Sequence, residues 1–392
     1  VPFAAPALIW NMMMSMSGSW FFVVASEAIS VGNTTVTLPG IGSYIALAIE
    51  RRDLGAVWWA IGAMLVVILI YDQLLFRPLV AWADRFRFEQ EAGMLPPRSW
   101  VFDVLRRSRL VDRATEPFAV LWRLSLRPRR VDTASPVKTA ARRNNGWIGY
   151  LFGLLAAAVS AYLVWCVADF FIGTITLGDV GTTLLLGLAT LIRVVVLIAI
   201  ASVIWVPIGV WVGTHPRVAN MVQPVAQFLA AFPANLLFPI FVSVIVVWRL
   251  DPNIWLSPLM ILGTQWYILF NVIAGASALP AELRACGANF RVRGWLWWRR
   301  IALPAVFPYY VTGAITASGG SWNASIVAEV ASWGNQHLQA AGLGAYIAHE
   351  TDAGDFHRIV LGIIVMSLYV VVVNRVFWRP LYYYAERKFR LG

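Results

Sequence analysis

Between Leu279 and Pro304 the chain reads LPAELRACGANFRVRGWLWWRRIALP, a polar, arginine-rich stretch set between two of its most apolar runs. Arg284, Arg291, Arg293, Arg299 and Arg300 alternate with Trp295, Trp297 and Trp298, and Glu282 is the single acid. Two readings stay open from these residues. One is a cytoplasmic loop of the positive-inside kind with interfacial tryptophans. The other is a short cationic and aromatic surface, tethered at both ends in a membrane, on which a soluble protein docks, since Arg and Trp dominate the energetics of such contacts. Hydrolytic chemistry is not indicated. The only lysines are Lys138 and Lys388, neither in the glycine-rich context of a phosphate-binding loop, so the chain is not expected to hydrolyse ATP. No nucleophile motif is present. His337, His349, Glu350, Asp352, Asp355 and His357 gather near one another, with a spacing that fits no tight metal-ligand pattern.

Polar residues also fall inside apolar runs. Arg193 lies near the middle of the run 182–211, where an arginine costs roughly 2.5–3.5 kcal/mol unless it faces protein or water. It either guides an anionic solute or forms a structural pair with an acid or carbonyl of another helix. Gln223, Gln227, Gln265, Asn271 and Asn323 are further candidates for a polar pathway, each with interhelical hydrogen bonding as its alternative.

The elements that must carry these residues follow from composition. Of 392 residues 59% are hydrophobic and 13% charged, a balance that excludes an ordinary soluble domain. Several apolar runs reach the length of a bilayer span, so the class is an all-α polytopic membrane protein. The net charge of +11 sits in loops beside these runs, which favours a membrane surface over nucleic acid as its partner. Cys166 and Cys286 occur in unrelated surroundings and indicate neither a disulfide framework nor a metal site.

Residues 1–90 align with 303–392 at a constant offset of 302, without a gap and with 22 of 90 positions identical. Gly18-Ser19-Trp20 meets Gly320-Ser321-Trp322, Glu27 meets Glu329, and Gly40-Ile41-Gly42-Ser43-Tyr44-Ile45-Ala46 meets Gly342-Leu343-Gly344-Ala345-Tyr346-Ile347-Ala348. Asp53 meets Asp355, and Arg77-Pro78-Leu79 meets Arg379-Pro380-Leu381. Shared hydrophobicity does not align glycines, prolines and charges, so the pattern is that of a tandem duplication. The first copy, 1–90, enters at the point matching Leu303, which suggests that an N-terminal part is missing. It is expected to hold two spans, near 4–28 and 57–76, with a Gly-rich reentry near 40–49. A basic cytoplasmic linker, 91–146, follows. The second copy, 147–392, is expected to hold six spans, near 147–170, 182–211, 225–248, 255–278, 306–328 and 359–376. No Lys or Arg occurs from Ile301 through His357, so six crossings put 279–304 and the C-terminal tail inside. Arg249 and Arg51-Arg52 fall outside on this scheme.

A polar loop ending in Ile301-Ala302-Leu303-Pro304, opened by Leu279-Pro280-Ala281-Glu282-Leu283 and followed by Pro308-Tyr309 and Gly320-Ser321-Trp322-Asn323-Ala324-Ser325-Ile326-Val327-Ala328-Glu329, resembles the permease subunit of type I ABC importers. Within them it is similar to the nitrate, sulfonate and bicarbonate branch, including its fused double permeases. The family motif places EAA, then Gly, ahead of the I-x-L-P tail. Here those positions hold Ala285-Cys286-Gly287 and Arg291, so the tail is intact and the head is not. The resemblance implies a MetI-like permease fold in a bacterial inner membrane, importing a small anionic solute by alternating access. It also implies a cytoplasmic P-loop ATPase dimer that holds the ATP and magnesium, no cofactor on this chain, and an extracytoplasmic substrate-binding protein that the His and acid cluster could meet. Glu282, Arg284, Gly287, Arg291, Arg293, Trp295, Arg299, Arg300, Ile301, Leu303 and Pro304 would form the ATPase-coupling loop. A membrane scaffold or sensor that binds an ATPase without transport is the alternative.

Overall fold

A computed structural model describes residues 5–31, 34–83 and 146–389 of the chain. The expected basic linker, up to residue 145, lies outside the described residues. The described residues divide between two compact units, 146–176 in one and 5–31, 34–83 and 177–389 in the other. The smaller unit contributes α5 (Gly146–Phe171), an apolar helix long enough to cross a bilayer. Everything below concerns the larger unit.

Its N-terminal part runs α1 (Ala5–Ser26), β1 (Ala28–Val31), β2 (Thr34–Thr37), α2 (Ile41–Glu50) and α3 (Leu54–Tyr71). A π-helical turn (Asp72–Phe76) then leads into α4 (Arg77–Ala83). The C-terminal part of the unit repeats this order. α13 (Leu303–Ala328) is followed by β3 (Val330–Trp333), β4 (Gln336–Gln339), α14 (Leu343–Ala353), α15 (Phe356–Val373), a π turn (Asn374–Trp378) and α16 (Arg379–Phe389). The strands, α3 with α15, and both π turns correspond residue for residue at the offset of 302. The same capping chemistry recurs. Asp53 accepts from the Ala56 amide at the start of α3, and Asp355 accepts from the Arg358 amide at the start of α15.

The all-α expectation holds apart from the two short antiparallel hairpins, β1 with β2 and β3 with β4. Gly334, at φ 59°, supplies the positive φ that the first central position of a two-residue hairpin loop can require. The expected Gly-rich reentry at 40–49 is instead helix α2, and its counterpart is α14. Each begins where a preceding acid receives its amides: Glu27 accepts from the Gly42 amide, and Glu329 from the Gly344 and Ala345 amides at 2.8 and 3.1 Å. A carboxylate at a helix N-terminus satisfies orphan donors and complements the dipole. Small residues are needed there because the helix start lies against the preceding helix: a Cβ on Gly344 would meet the Ser325 carbonyl oxygen at 2.3 Å.

Between the repeated parts lie α6 (Leu177–Thr214), α7 (Pro216–Ala231), α8 (Phe238–Val247), α9 (Pro252–Trp255) and α10 (Gln265–Ser277). The span expected at 182–211 is α6, extended at both ends. The spans expected at 225–248 and 255–278 are not continuous helices. The first breaks between α7 and α8 with a bend of 76°, and the second breaks before α10 with a bend of 45°. The first break has a local cause: Pro233 pushes Phe232 into extended backbone, φ −73° and ψ 129°, and a 3-10 turn (Ala234–Leu237) follows. Among the described residues five helices are long and apolar enough to cross a bilayer, or up to seven if each bent pair counts as one span.

The core is the layer formed by α6, α10 and α13. Their backbones approach closely at small residues; a Cβ on Gly313 of α13 would meet the Tyr267 carbonyl oxygen of α10 at 2.6 Å. α1 and α3 pack on the broken element, and Asn235 in the 3-10 turn donates to the Phe21 carbonyl at 3.0 Å. Large apolar side chains such as Trp59, Val66 and Ile70 on α3 and Val195, Val203 and Ile204 on α6 are exposed, as lipid-facing surfaces require.

Candidate functional site

The stretch 279–304, expected as a loop between two spans, is built largely of short helical pieces. α11 (Ala281–Asn289) follows Pro280, α12 (Gly294–Trp297) follows a turn, and a π turn (Trp298–Ala302) runs into α13. Arg284 donates to the Leu279 carbonyl from Nε at 3.2 Å and Nη2 at 2.7 Å, closing the junction between α10 and α11. Gly287 is buried, and a Cβ there would meet Ile301 Cδ1 at 2.8 Å, so α11 folds back on the π turn. Pro304 sits in the first turn of α13, where its missing N–H costs nothing. Ile301 is half-buried, whereas Glu282, Arg291, Arg293, Trp295, Arg299, Arg300 and Leu303 are exposed. Phe290, which composition did not single out, is 77% exposed at the end of α11, close in sequence to Trp295 at 73%. Two large aromatics left in solvent among four arginines make a surface suited to a partner.

Arg291 has φ 51°, in the left-handed region that favours glycine. This is the position where the family motif carries its glycine.

Arg193 takes the structural-pair geometry. Its Nη1 donates to Glu329 Oε1 at 3.0 Å and to the Ala341 carbonyl at 2.9 Å, and Nη2 to Asn253 Oδ1 at 3.4 Å. Glu329 is 1% exposed and also accepts from Thr190 Oγ1 at 2.8 Å. Together with the Gly344 and Ala345 amides, one carboxylate ties α6, α13 and α14 together. Asn253 Oδ1 further accepts from the Ala341 amide at 2.8 Å, drawing α9 into the same network. A buried charge with this many donors is compensated.

The polar candidates do not converge. Trp205 Nε1 donates to Gln265 Oε1 at 2.9 Å, and the Gln265 amide donates to the Leu262 carbonyl at 3.2 Å. Asn271 donates to the Tyr267 carbonyl at 2.8 Å, within its own helix. Asn323 is exposed on α13, and Gln223 is half-buried one turn before Gln227 on α7. Of these five, Gln227 lines a cavity of about 40 Å³. Trp20 of α1, Tyr71 and Asp72 at the end of α3, Phe228 of α7 and Trp266 and Tyr267 of α10 line it as well. Ala231 and Gly263, which border the two helix breaks, are part of its wall. The cavity thus lies between helices of the N-terminal repeat and the broken elements, a placement the sequence marked only through Pro233 and the run of Gly and Thr at 263–264.

Asp72 pairs with Arg77 at 3.0 Å. His349 and Glu350 approach at 3.4 Å, and His357 and Asp355 at 4.0 Å. Among the described residues no group of three or more His, Cys, Asp and Glu side chains is placed to hold a metal.

Residues 205–390 match the family described as binding-protein-dependent transport system inner membrane component. The chain is 27% identical over 188 residues to the bicarbonate transport system permease protein CmpB of Synechococcus elongatus, covering 48% of this chain and 64% of that protein. It is 24% identical over 186 residues to the nitrate import permease protein NrtB of Leptolyngbya laminosa, covering 47% and 63%. The matched region spans just under two thirds of the length of these relatives. The matched residues contain both broken elements, the helical segment 281–302 and the Glu329 network apart from Thr190 and Arg193. Residues 205–390 therefore resemble the inner membrane components of binding-protein-dependent transport systems, and the chain is a multi-pass membrane protein similar over that region to permease proteins named for bicarbonate and nitrate.

Proposed function

We propose that the chain is the transmembrane subunit of an ATP-driven importer of the bacterial inner membrane, coupled through 279–304 to separate ATPase subunits. The observation that carries the coupling is mechanical. The exposed segment α11–α12 follows α10 after a short junction, where Arg284 bonds the Leu279 carbonyl, and runs into α13, while α10 also lines the cavity. A partner that moves this segment moves a cavity wall and a core helix together, which is what alternating access between inward-open and outward-open forms requires. Arg291, Arg293, Trp295, Arg299, Arg300 and Phe290 would meet the ATPase dimer, which would hold ATP and magnesium. The recurrence of elements at an offset of 302 supports two permease copies in one chain. A substrate-binding protein would meet the surface carrying the hairpins and His337. The names of the relatives put a small anion such as nitrate or bicarbonate first among solutes to be tried. Nothing in the geometry favours the scaffold reading, which leaves the cavity without a use.

The test is co-purification from native membranes in mild detergent. A P-loop ATPase is expected with the wild-type chain. It should be lost from a Phe290→Asp, Trp295→Asp double variant and from Arg299→Glu, Arg300→Glu, each of which inserts like normal protein because the changed side chains are exposed. If no ATPase appears even after crosslinking, the importer reading fails.

A further inference from the structure

We infer that the π turn joining α15 to α16 binds the head group of a net-anionic phospholipid, with Arg375, Arg379 and Tyr383 as its contacts. The inference is independent of the transport reading and needs only that α15 crosses the bilayer. From Phe356 to Phe389 the chain is one apolar helical element of 34 residues. Arg375 lies about 28 Å from Phe356 along a helix that rises 1.5 Å per residue. The hydrocarbon core of a bilayer is about 30 Å thick, so Arg375 and Arg379, one turn further on, fall at head-group depth. Val371, Val372, Val376 and Phe377 beside them are exposed, as a surface against acyl chains requires.

The matching turn at the end of α3 shows what is special here. There Arg77 Nε donates to Asp72 Oδ2 at 3.0 Å, and Gln73 donates to the same oxygen at 3.2 Å. At the offset of 302, Asp72, Gln73 and Arg77 become Asn374, Arg375 and Arg379. The acid is gone and a second arginine has come in, so a neutral set becomes one with two positive charges. Both arginines are exposed, and among the described residues neither has an acid partner. Arg379 lies over the Tyr383 ring instead, with Cζ 5.6 Å from its centre, and Nη2 donates to Tyr383 Oη at 3.4 Å. Glu386, the acid nearest in sequence, accepts from Tyr382 Oη at 3.1 Å. Arg375 and Arg379, four positions apart, share a side of the helix. Two guanidinium groups so placed can donate to the oxygens of one phosphodiester, and the Tyr383 hydroxyl keeps a proton to donate as well.

The test is native mass spectrometry of the full chain in mild detergent, titrated with phosphatidylglycerol and, separately, with phosphatidylcholine of the same acyl chains. The wild-type chain should hold its first phosphatidylglycerol about ten- to thirtyfold more tightly than phosphatidylcholine, the scale of two cations at an anionic head group. Arg375→Gln combined with Arg379→Gln should abolish that preference. Asn374→Asp, which returns to Arg379 the kind of partner that Arg77 has, should reduce it and gives a second reading if the Gln pair fails to fold. Arg387→Gln removes an exposed cation of the same helix about 12 Å beyond Arg379 and should leave the preference intact. Equal retention of the two lipids by the wild-type chain overturns the inference, as does a preference that survives both the Gln pair and Asn374→Asp. A loss in Arg387→Gln as large as in the Gln pair would show net charge rather than a site, and displacement of the lipid by about 10 mM inorganic phosphate would show a simple anion site; either result also overturns it.

Discussion

Arg291 places a side chain on a left-handed backbone that favours glycine. A side chain at φ 51° brings Cβ close to its own carbonyl, at a cost of roughly 1–2 kcal/mol that glycine does not incur. Its own side chain is exposed, so nothing else is lost on removing it. Arg291→Gly should therefore raise the thermal stability of the detergent-solubilised chain by about 1 kcal/mol, whereas Arg291→Ala, which keeps the Cβ, should leave it unchanged. A gain with Ala equal to that with Gly would mean that charge, not backbone strain, is being relieved. Arg193 illustrates a different limit of sequence reading. Its residue type and depth announced that it needed a partner, but Glu329 lies 136 residues away and Ala341 148 away. Only the fold could choose between an acid and a solute as that partner.

At the level of elements, the repeat made the fold largely legible. Shared glycines, prolines and acids at one offset marked equivalent helices before any contact was known. What the repeat could not reveal is the work of Gly40, Gly42, Gly342 and Gly344, which look like flexible loop composition and are close approaches of a helix start to the helix before it. Each of the first turns of α2 and α14 sits where a Cβ would collide, with the Glu27 or Glu329 carboxylate or with the Val24 or Ser325 carbonyl. A carbonyl within a helix cannot give way as a side-chain end can. Gly344→Ala should thus destabilise the chain by about 2–3 kcal/mol, measured as a lowered unfolding midpoint, and Gly42→Ala should do the same at the start of α2. Gly62→Ala, on α3 with open space around it, is the control expected to be neutral. The two broken elements were missed for a related reason. Apolar runs at 225–248 and 255–278 have the composition of continuous spans, and only Pro233 hinted at the first break. Breaks of this kind persist where the freed backbone borders protein or a cavity, and here both border the cavity, so the least legible elements are also those that shape the candidate site.

For the whole molecule, the charge distribution fixes an orientation that the helices can be tested against. No Lys or Arg occurs from Ile301 through His357, a stretch holding α13 and the β3–β4 hairpin, while Arg291, Arg293, Arg299, Arg300 and the basic end of α16 lie beyond its two ends. α13 leaves the segment 281–302 and delivers the chain to the hairpin 26 residues later, far enough to cross a bilayer. Segment and hairpin must then face opposite aqueous phases, with the basic one inside. Two cysteine positions read this directly. Cys286 is free and exposed on α11, and Asn335 is exposed at the hairpin tip. In a Cys166→Ser background, a membrane-impermeant maleimide should label Cys286 in inside-out vesicles and not in right-side-out ones. Asn335→Cys, with Cys286→Ser, should reverse the pattern. Labelling of both positions from one side would place the hairpin on the ATPase face and remove the mechanical link proposed between the exposed segment and the cavity. The opposite orientation, with Cys286 reached from outside, would leave the helices as they are and deny the segment any cytoplasmic partner. Only the expected pattern allows one ATPase-facing surface to drive a cavity that opens alternately to the two sides.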